Sequence, residues 1–333
     1  MPSPSQHRTA ITREAVRRFY HLPERTIARH LIANHGDLYN NNLEIARSAV
    51  RRVMGTNGEQ NRAHTAPDLF RTGAVAMPQT WRRERTEHKL PVGLWLVLAD
   101  IHIPFHEPKP LETAISWGQA QGVDGVLLNG DAMDCKAVSA WPTAQRDFDR
   151  ELEAMMDFLD FLRCEFPVGK GKKPGKKIVY KPGNHEYRLP RYFVCKAPDL
   201  ATSPLAAMET VCGFEHRQIE FLDYYQMVRA GKLPVFHGHE FGYLQKMVNP
   251  ARGLFLRAKS FALCSHCHST SEHPARDVNG LLMTTWSTGC LCDLSPDYNP
   301  YGNDWNWGAA IIDVQKGGFE VENRRILPNG KLA

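Results

Sequence analysis

Leu94–Ala99 is an unbroken apolar run that ends directly in Asp100, and the same arrangement recurs along the chain. Gly125–Asn129 runs into Gly130-Asp131, Lys176–Lys181 is followed by Gly183-Asn184-His185-Glu186, and Leu233–His237 leads to Gly238-His239. Short continuous apolar runs are the mark of strands buried on both faces. Leu111–Gln121 and Phe148–Phe166 between them carry helical periodicity. This βαβ alternation predicts an α/β chain with a layered sheet and helices on its faces. Near the end, Ala309–Val314 and Gly318–Asn323 flank Gln315-Lys316-Gly317 and read as a hairpin.

The residues at the strand ends define the chemistry. In layered α/β sheets the carboxyl ends of neighbouring strands lie together, so residues far apart in sequence converge on one crevice. The converging set is Asp100-x-His102, Gly130-Asp131-x-x-Asp134, Gly183-Asn184-His185-Glu186, His237-Gly238-His239 and, after a further apolar segment, Ser265-His266-Cys267-His268. Two hard-to-borderline divalent cations about 3.5–4 Å apart need oxygen and imidazole ligands and one carboxylate able to bridge them. Any one of these pieces occurs by chance; five in order, each after an expected strand, do not.

The series resembles the calcineurin-like metallophosphoesterase superfamily over residues 92–325. The resemblance implies a four-layer αββα sandwich holding two divalent metal ions. Manganese is the first choice, with iron, zinc, nickel and magnesium admissible. Carried over position by position, Asp100, His102 and His268 would bind one metal and Asn184, His237 and His266 the other, with Asp131 bridging. His239 stands as the alternative to His237. His185 would be the general acid, oriented by Asp134, and a hydroxide bridging the metals would attack phosphorus in line.

Two further features qualify the resemblance. Ser265 stands where the last motif usually has Gly, and a modest backbone adjustment is expected. Cys135 stands where the protein Ser/Thr phosphatases of the superfamily have Arg, which argues against a protein phosphatase. Arg188 is placed to reach a substrate phosphate or to form a salt bridge. The expected activity is hydrolysis of phosphate esters, with phosphodiesters of nucleotides or nucleic acid preferred. The alternatives are a phosphomonoesterase and a nucleic-acid-binding protein with a weak or structural phosphoesterase domain.

Charge supports a nucleic-acid partner. Residues 1–90 hold 15 Lys+Arg against 8 Asp+Glu, whereas the remaining 243 hold 26 against 28. Such asymmetry suggests a basic module that meets a polyanion, DNA or RNA. Residues 1–55 read as three short helices, over Thr12–Tyr20, Arg25–His35 and a third capped by Asn42 and closed by Gly55. Their order resembles a helix-turn-helix, with Arg47, Arg51 and Arg52 available for phosphates. The expected organisation is a basic helical module over 1–55, a linker over 56–90 and the metallophosphoesterase domain over 91–333.

The remaining expectations are exclusions. No apolar stretch approaches the ~20 residues that cross a bilayer, and Met1–Ala10 lacks an apolar signal core, so a cytoplasmic protein without membrane attachment is expected. Eight cysteines are too few for a disulfide scaffold. Cys264-x2-Cys267 with Cys290-x-Cys292 leaves a structural zinc knot open beside buried thiols. Gly169–Lys177 lacks the Lys-Ser/Thr of a phosphate loop and reads as an exposed turn.

Overall fold

A computed structural model describes residues 3–55, 80, 86–141, 146–169 and 174–333. The chain divides into two units, Met1–Arg82 and Arg83–Ala333. Most of the expected linker and the centre of the Gly169–Lys177 turn fall outside the described residues.

The first unit holds α1 (Pro4–Arg18), α2 (Glu24–His35) and α3 (Leu43–Met54). α1 starts eight residues before the expected helix. Ser3 and Gln6 form a reciprocal capping box and Pro4 occupies the first turn, so the helix begins without an apolar stripe. Ile27, Leu31, Ala46, Val50 and Tyr39 make its core, where the Tyr39 hydroxyl and Thr12 Oγ1 lie 2.7 Å apart. Asn42 caps α3 as expected, accepting from the amides of Glu44 and Ile45.

The second unit contains two six-stranded sheets. In chain order its elements are β1 (Glu87–Leu90), β2 (Gly93–Leu98), α4 (Pro108–Ala120), β3 (Gly125–Asn129), α5 (Phe148–Glu165), β4 (Lys177–Lys181), α6 (Arg188–Lys196) and α7 (Met208–Val211). β5 (Ile219–Phe221), β6 (Met227–Ala230), β7 (Leu233–Val235), α8 (Pro250–Ala258), β8 (Ala262–Cys264), β9 (Ser271–Arg276) and β10 (Leu282–Ser287) follow. The hairpin β11 (Gly308–Gln315) and β12 (Gly318–Arg325) completes it. One sheet has the order β12-β11-β2-β3-β4-β5, the other β1-β6-β7-β8-β10-β9.

Successive side chains of a strand point to opposite faces, and this alternation builds the layers. Leu96, Leu98, Val126 and Leu128 face outward onto Leu111 and Ile115 of α4 and Met155 and Leu159 of α5. Trp95, Val97, Leu127 and Val179 face inward onto Val228, Val235, Leu263 and Trp286 of the other sheet. Beyond that sheet, Ala262 and Cys264 pack on Leu254 of α8. The order is therefore helix, sheet, sheet, helix, which matches the metallophosphoesterase fold.

The last residues of the expected linker take part in a sheet. Glu87–Leu90 is a strand paired in parallel with Met227–Ala230. Only Leu90 of its four residues is buried, so it carries no apolar run for sequence reasoning to find. No helix among the described residues is long and apolar enough to cross a membrane.

Candidate metal centre

β2, β3 and β4 run parallel in one sheet, and β7, β8 and β10 run parallel in the other. Their carboxyl ends deliver the five motifs to one crevice. The turns that leave these ends are tight and strained. Asp100, His102, Asp131, Cys135, His266 and His268 all adopt φ between 52° and 66°, a region non-glycine residues seldom occupy. Gly130, at φ 90°, admits no Cβ because His237 and Gly183 lie against it. Gly183 likewise leaves no room, since the Asp131 carboxylate occupies that space.

Six of the seven candidate ligands meet there, and the seventh, Asn184, stands between Gly183 and His185, which both lie against Asp131. His237 Nε2 is 3.1 Å from Asp131 Oδ2, and His268 Nε2 is 3.2 Å from Asp100 Oδ1. His102 Nε2 and His268 Nε2 are 3.3 Å apart. Asp131, His237 and His266 form one group able to hold an ion, and Asp100, His102 and Asp131 form another. Separations of this size are those of neighbouring ligands around an ion with bonds of about 2.0–2.2 Å. Asp100 Oδ1, Asn184 Oδ1, His237 Nε2 and His266 Nδ1 are buried with no hydrogen-bond partner. Buried lone pairs left unpaired are costly, and cations would satisfy all four.

The ring orientations follow from the groups behind them. His237 donates Nδ1–H to the Asn129 carbonyl at 2.9 Å, which turns Nε2 toward Asp131. His102 places Nδ1 2.8 Å from Asp134 Oδ1, which turns its Nε2 toward His268. Burial alone would lower His237, yet the Asp131 carboxylate raises it to about 10. Burial and the nearby His237 push His266 down to about 3, so its lone pair stays free. His239 stands a step outside: its ring centroid lies 5.4 Å from that of His237, and it joins no group with Asp131.

His185 lies across the crevice. Its Nδ1 is 2.9 Å from both the carbonyl and the Oδ1 of Asp134, so that nitrogen carries the proton. Arg188 donates Nη1–H to the same carbonyl at 2.8 Å and Nη2–H to His185 Nε2 at 2.9 Å. Burial opposes charge on His185, but Asp131 and Asp134 together raise its pKa. Burial likewise opposes charge on Asp134, and its bonds from His102 and His185 outweigh it and hold the carboxyl far below its usual range.

Four supporting groups carry no role in the sequence reading. Glu186, fully buried, accepts from the amides of Asp131, Met133 and Gly183 and from the Tyr180 hydroxyl, at 2.7 to 3.1 Å. Its position directly after His185 was the available signal. Asn129 Nδ2 donates to Phe236 O and Ser265 Oγ, and Thr288 donates to the same Ser265 oxygen. Ser265 is thus a hydrogen-bonded link between the sheets as well as a small residue. Lys181, 1% exposed, donates to Glu240 Oε1 at 2.9 Å, and Glu240 Oε2 accepts from Gly238 N. Trp305 lies against His268, with ring centroids 4.1 Å apart and the planes tilted by 58°.

The four-cysteine zinc knot is not formed: among the described residues no candidate metal group joins Cys264, Cys267, Cys290 and Cys292. Cys264 and Cys267 pack with Leu244 and Leu254. Cys292 Sγ instead sits 3.9 Å from His268 Nδ1. In the first unit Arg51 pairs with Glu24 at 2.9 Å and Arg47 with Glu44 at 3.5 Å. Arg52 lines a cleft with Arg8.

No family model matches the sequence. The Gene 54 protein of Mycobacterium phage L5 is 26% identical over 235 residues, covering 66% of this chain and 88% of that protein. Among solved structures, a dimetal phosphatase from Danio rerio is 12% identical with a TM-score of 0.36, covering 71% of this chain and 96% of that one. Vps29 from Entamoeba histolytica, complexed with zinc, is 10% identical with a TM-score of 0.34, covering 72% and 96%. At these levels of identity and overlap, the fold assignment rests on the chain's own topology and ligand geometry.

Two outcomes follow for the supporting groups. Glu186→Gln removes the acceptor that fixes three amides and should weaken metal binding about 10–100-fold by calorimetric titration. Glu151 accepts from Ala137 N beneath the Asp134 loop, and burial pushes it from 4.5 up to about 7. The folded state then holds this proton more tightly than the unfolded one, so stability is full below about pH 4.5 and falls as pH rises through 7. Glu151→Gln should flatten that slope, gaining about 1–3 kcal/mol on wild type between pH 5 and 8 in urea titrations.

Proposed function

We propose that the protein is a metal-dependent phosphoesterase acting on phosphodiesters of nucleotides or nucleic acid. The observation that carries this reading is the crevice itself, where six oxygen and imidazole donors from four separate segments meet, with Asp100 Oδ1, His237 Nε2 and His266 Nδ1 buried and unpaired. Asp100, His102 and His268 would hold one divalent cation, Asn184, His237 and His266 the second, and Asp131 would be shared. This donor set suits manganese, iron, zinc, nickel or magnesium. When bound, such a pair lowers the pKa of water and offsets charge on the phosphoryl oxygens.

The chain's own residues supply the rest. Asp134 fixes the His185 ring through Nδ1, which leaves Nε2 as the end that can hand a proton to a leaving oxygen. Arg188 occupies Nε2 in this arrangement. A substrate phosphate would draw the guanidinium away as a bidentate partner and free Nε2 to carry the proton. The raised pKa of His185 keeps that proton available above the ordinary imidazole range. Cys135 in place of an arginine argues against protein phosphatase activity.

The test is hydrolysis of bis(p-nitrophenyl) phosphate beside p-nitrophenyl phosphate by the chelated, manganese-reloaded protein. The diester should be preferred. Asp131→Asn and His185→Ala should each lose about 10²–10⁴-fold in kcat. Preference for the monoester would make the protein a phosphomonoesterase, and no turnover with two metals bound would leave a binding role.

A second reading, nucleic-acid contact by the first unit, is favoured by Arg8 and Arg52 lining one cleft between α1 and α3. Arg52→Glu in the full chain should weaken DNA binding and reduce its salt slope by about one phosphate contact.

A further inference from the structure

Exposed aromatic rings are distributed unevenly over the second unit. Phe161 on α5 and Tyr192 on α6 apart, every exposed Phe, Tyr or Trp among its described residues lies in a connection that leaves the carboxyl end of a strand. Phe105 follows β2, Trp141 follows β3, Tyr187 follows β4, Tyr243 follows β7 and Tyr298 follows β10. These are the ends that build the metal crevice. The opposite ends of β2 and β10 expose Val92, Val278 and Leu281, which carry no ring.

The rings are well exposed and accompanied by cations. Trp141 is 76% exposed, Tyr243 69% and Tyr298 71%. Tyr298 is tied to the crevice through Trp305, 6.3 Å away, whose indole lies against the His268 ring. Lys136 Nζ sits 4.7 Å over Phe105 and 3.6 Å from Asp297. Lys246 Nζ sits 5.3 Å over Tyr243. Arg188 completes the series inside the crevice.

Resting on the phosphodiesterase reading above, we propose that the crevice receives an unpaired polynucleotide strand whose successive bases stack on this rim. Rings interleaved with cations are what a single strand requires, one for the base faces and the other for the phosphates. Rings on five separate loops exceed the footprint of one nucleotide, so a strand of several residues is the occupant. A duplex keeps its base faces stacked inside the helix and has none to lay on the rings. The cation beside each of Phe105 and Tyr243 sets this surface apart from a purely apolar protein-docking patch.

The experiment uses the full-length, manganese-loaded protein and an end-labelled oligothymidylate of about twelve nucleotides. The same strand annealed to oligodeoxyadenylate is the comparison, and bis(p-nitrophenyl) phosphate is the reference substrate. The single strand should show a KM at least about tenfold below the duplex. Tyr243→Ala and Tyr298→Ala should each lower the ratio of kcat/KM on the oligonucleotide to that on the reference diester by about three- to tenfold, and Tyr→Phe should restore it. Equal KM for duplex and single strand, or an unchanged ratio in both alanine variants, overturns the strand proposal while leaving phosphodiesterase activity intact. Absence of turnover on the reference diester by wild type removes the reading beneath it.

Discussion

The Asp131 carboxylate is the constraint on which the rest of the second unit depends. It is 1% exposed, and a buried carboxylate persists only where charge and hydrogen bonds compensate its desolvation. His185 N donates to its Oδ1 at 2.8 Å, and His237 Nε2 faces Oδ2. Burial would raise its pKa, but His237 and His185 hold it well below the usual range. The left-handed turn at Asp131, the glycines at 130 and 183, and the Glu186 carboxylate beneath them all serve to keep this one group in place. Strain at a cluster of such residues is retained because the surrounding packing determines it many times over.

The centre also joins the two sheets. Inside the sandwich the contact is apolar, Trp95, Val97 and Leu127 against Val235 and Leu263. At the carboxyl edge it becomes polar, with Asn129 bridging to Phe236 and Ser265 and Lys181 bridging to Glu240. Burial works against charge on Glu240, yet Lys181 and the neighbouring histidines hold its carboxyl well below the ordinary range. The crevice walls are therefore fixed by hydrogen bonds that leave little freedom to the candidate ligands. Preorganisation of this kind lets a site stabilise developing charge without rearranging at the moment of reaction.

The two sides of the crevice differ in chemistry. On one, His237 Nε2 and His266 Nδ1 lie buried without hydrogen-bond partners on the side of the second sheet. On the other, His185, Asp134 and Arg188 form a hydrogen-bonded set in which one carboxylate holds two imidazoles, His102 and His185. Asp134 thus couples a candidate ligand to a candidate acid.

The sequence by itself determined the layered α/β class, the central strands, the helices between them and the identity of the converging residues. Each of these is a local property: an apolar run has a length and a period, and a ligand type stands next to it. Local signals failed where burial was one-sided or short. Glu87–Leu90 buries a single residue, and α1 is announced by a capping box and a proline where no apolar stripe exists. Only the tertiary structure decided that Glu186 ties the third motif to the Asp131 turn, that Ser265 links two sheets, and that Arg188 rests on His185. It also left His239 outside the group of Asp131, His237 and His266, and formed no candidate metal group from the four cysteines among the described residues. Apart from the Arg188–His185 contact, which spans three residues, those outcomes depend on distances between groups tens to hundreds of residues apart, which no spacing along the chain encodes.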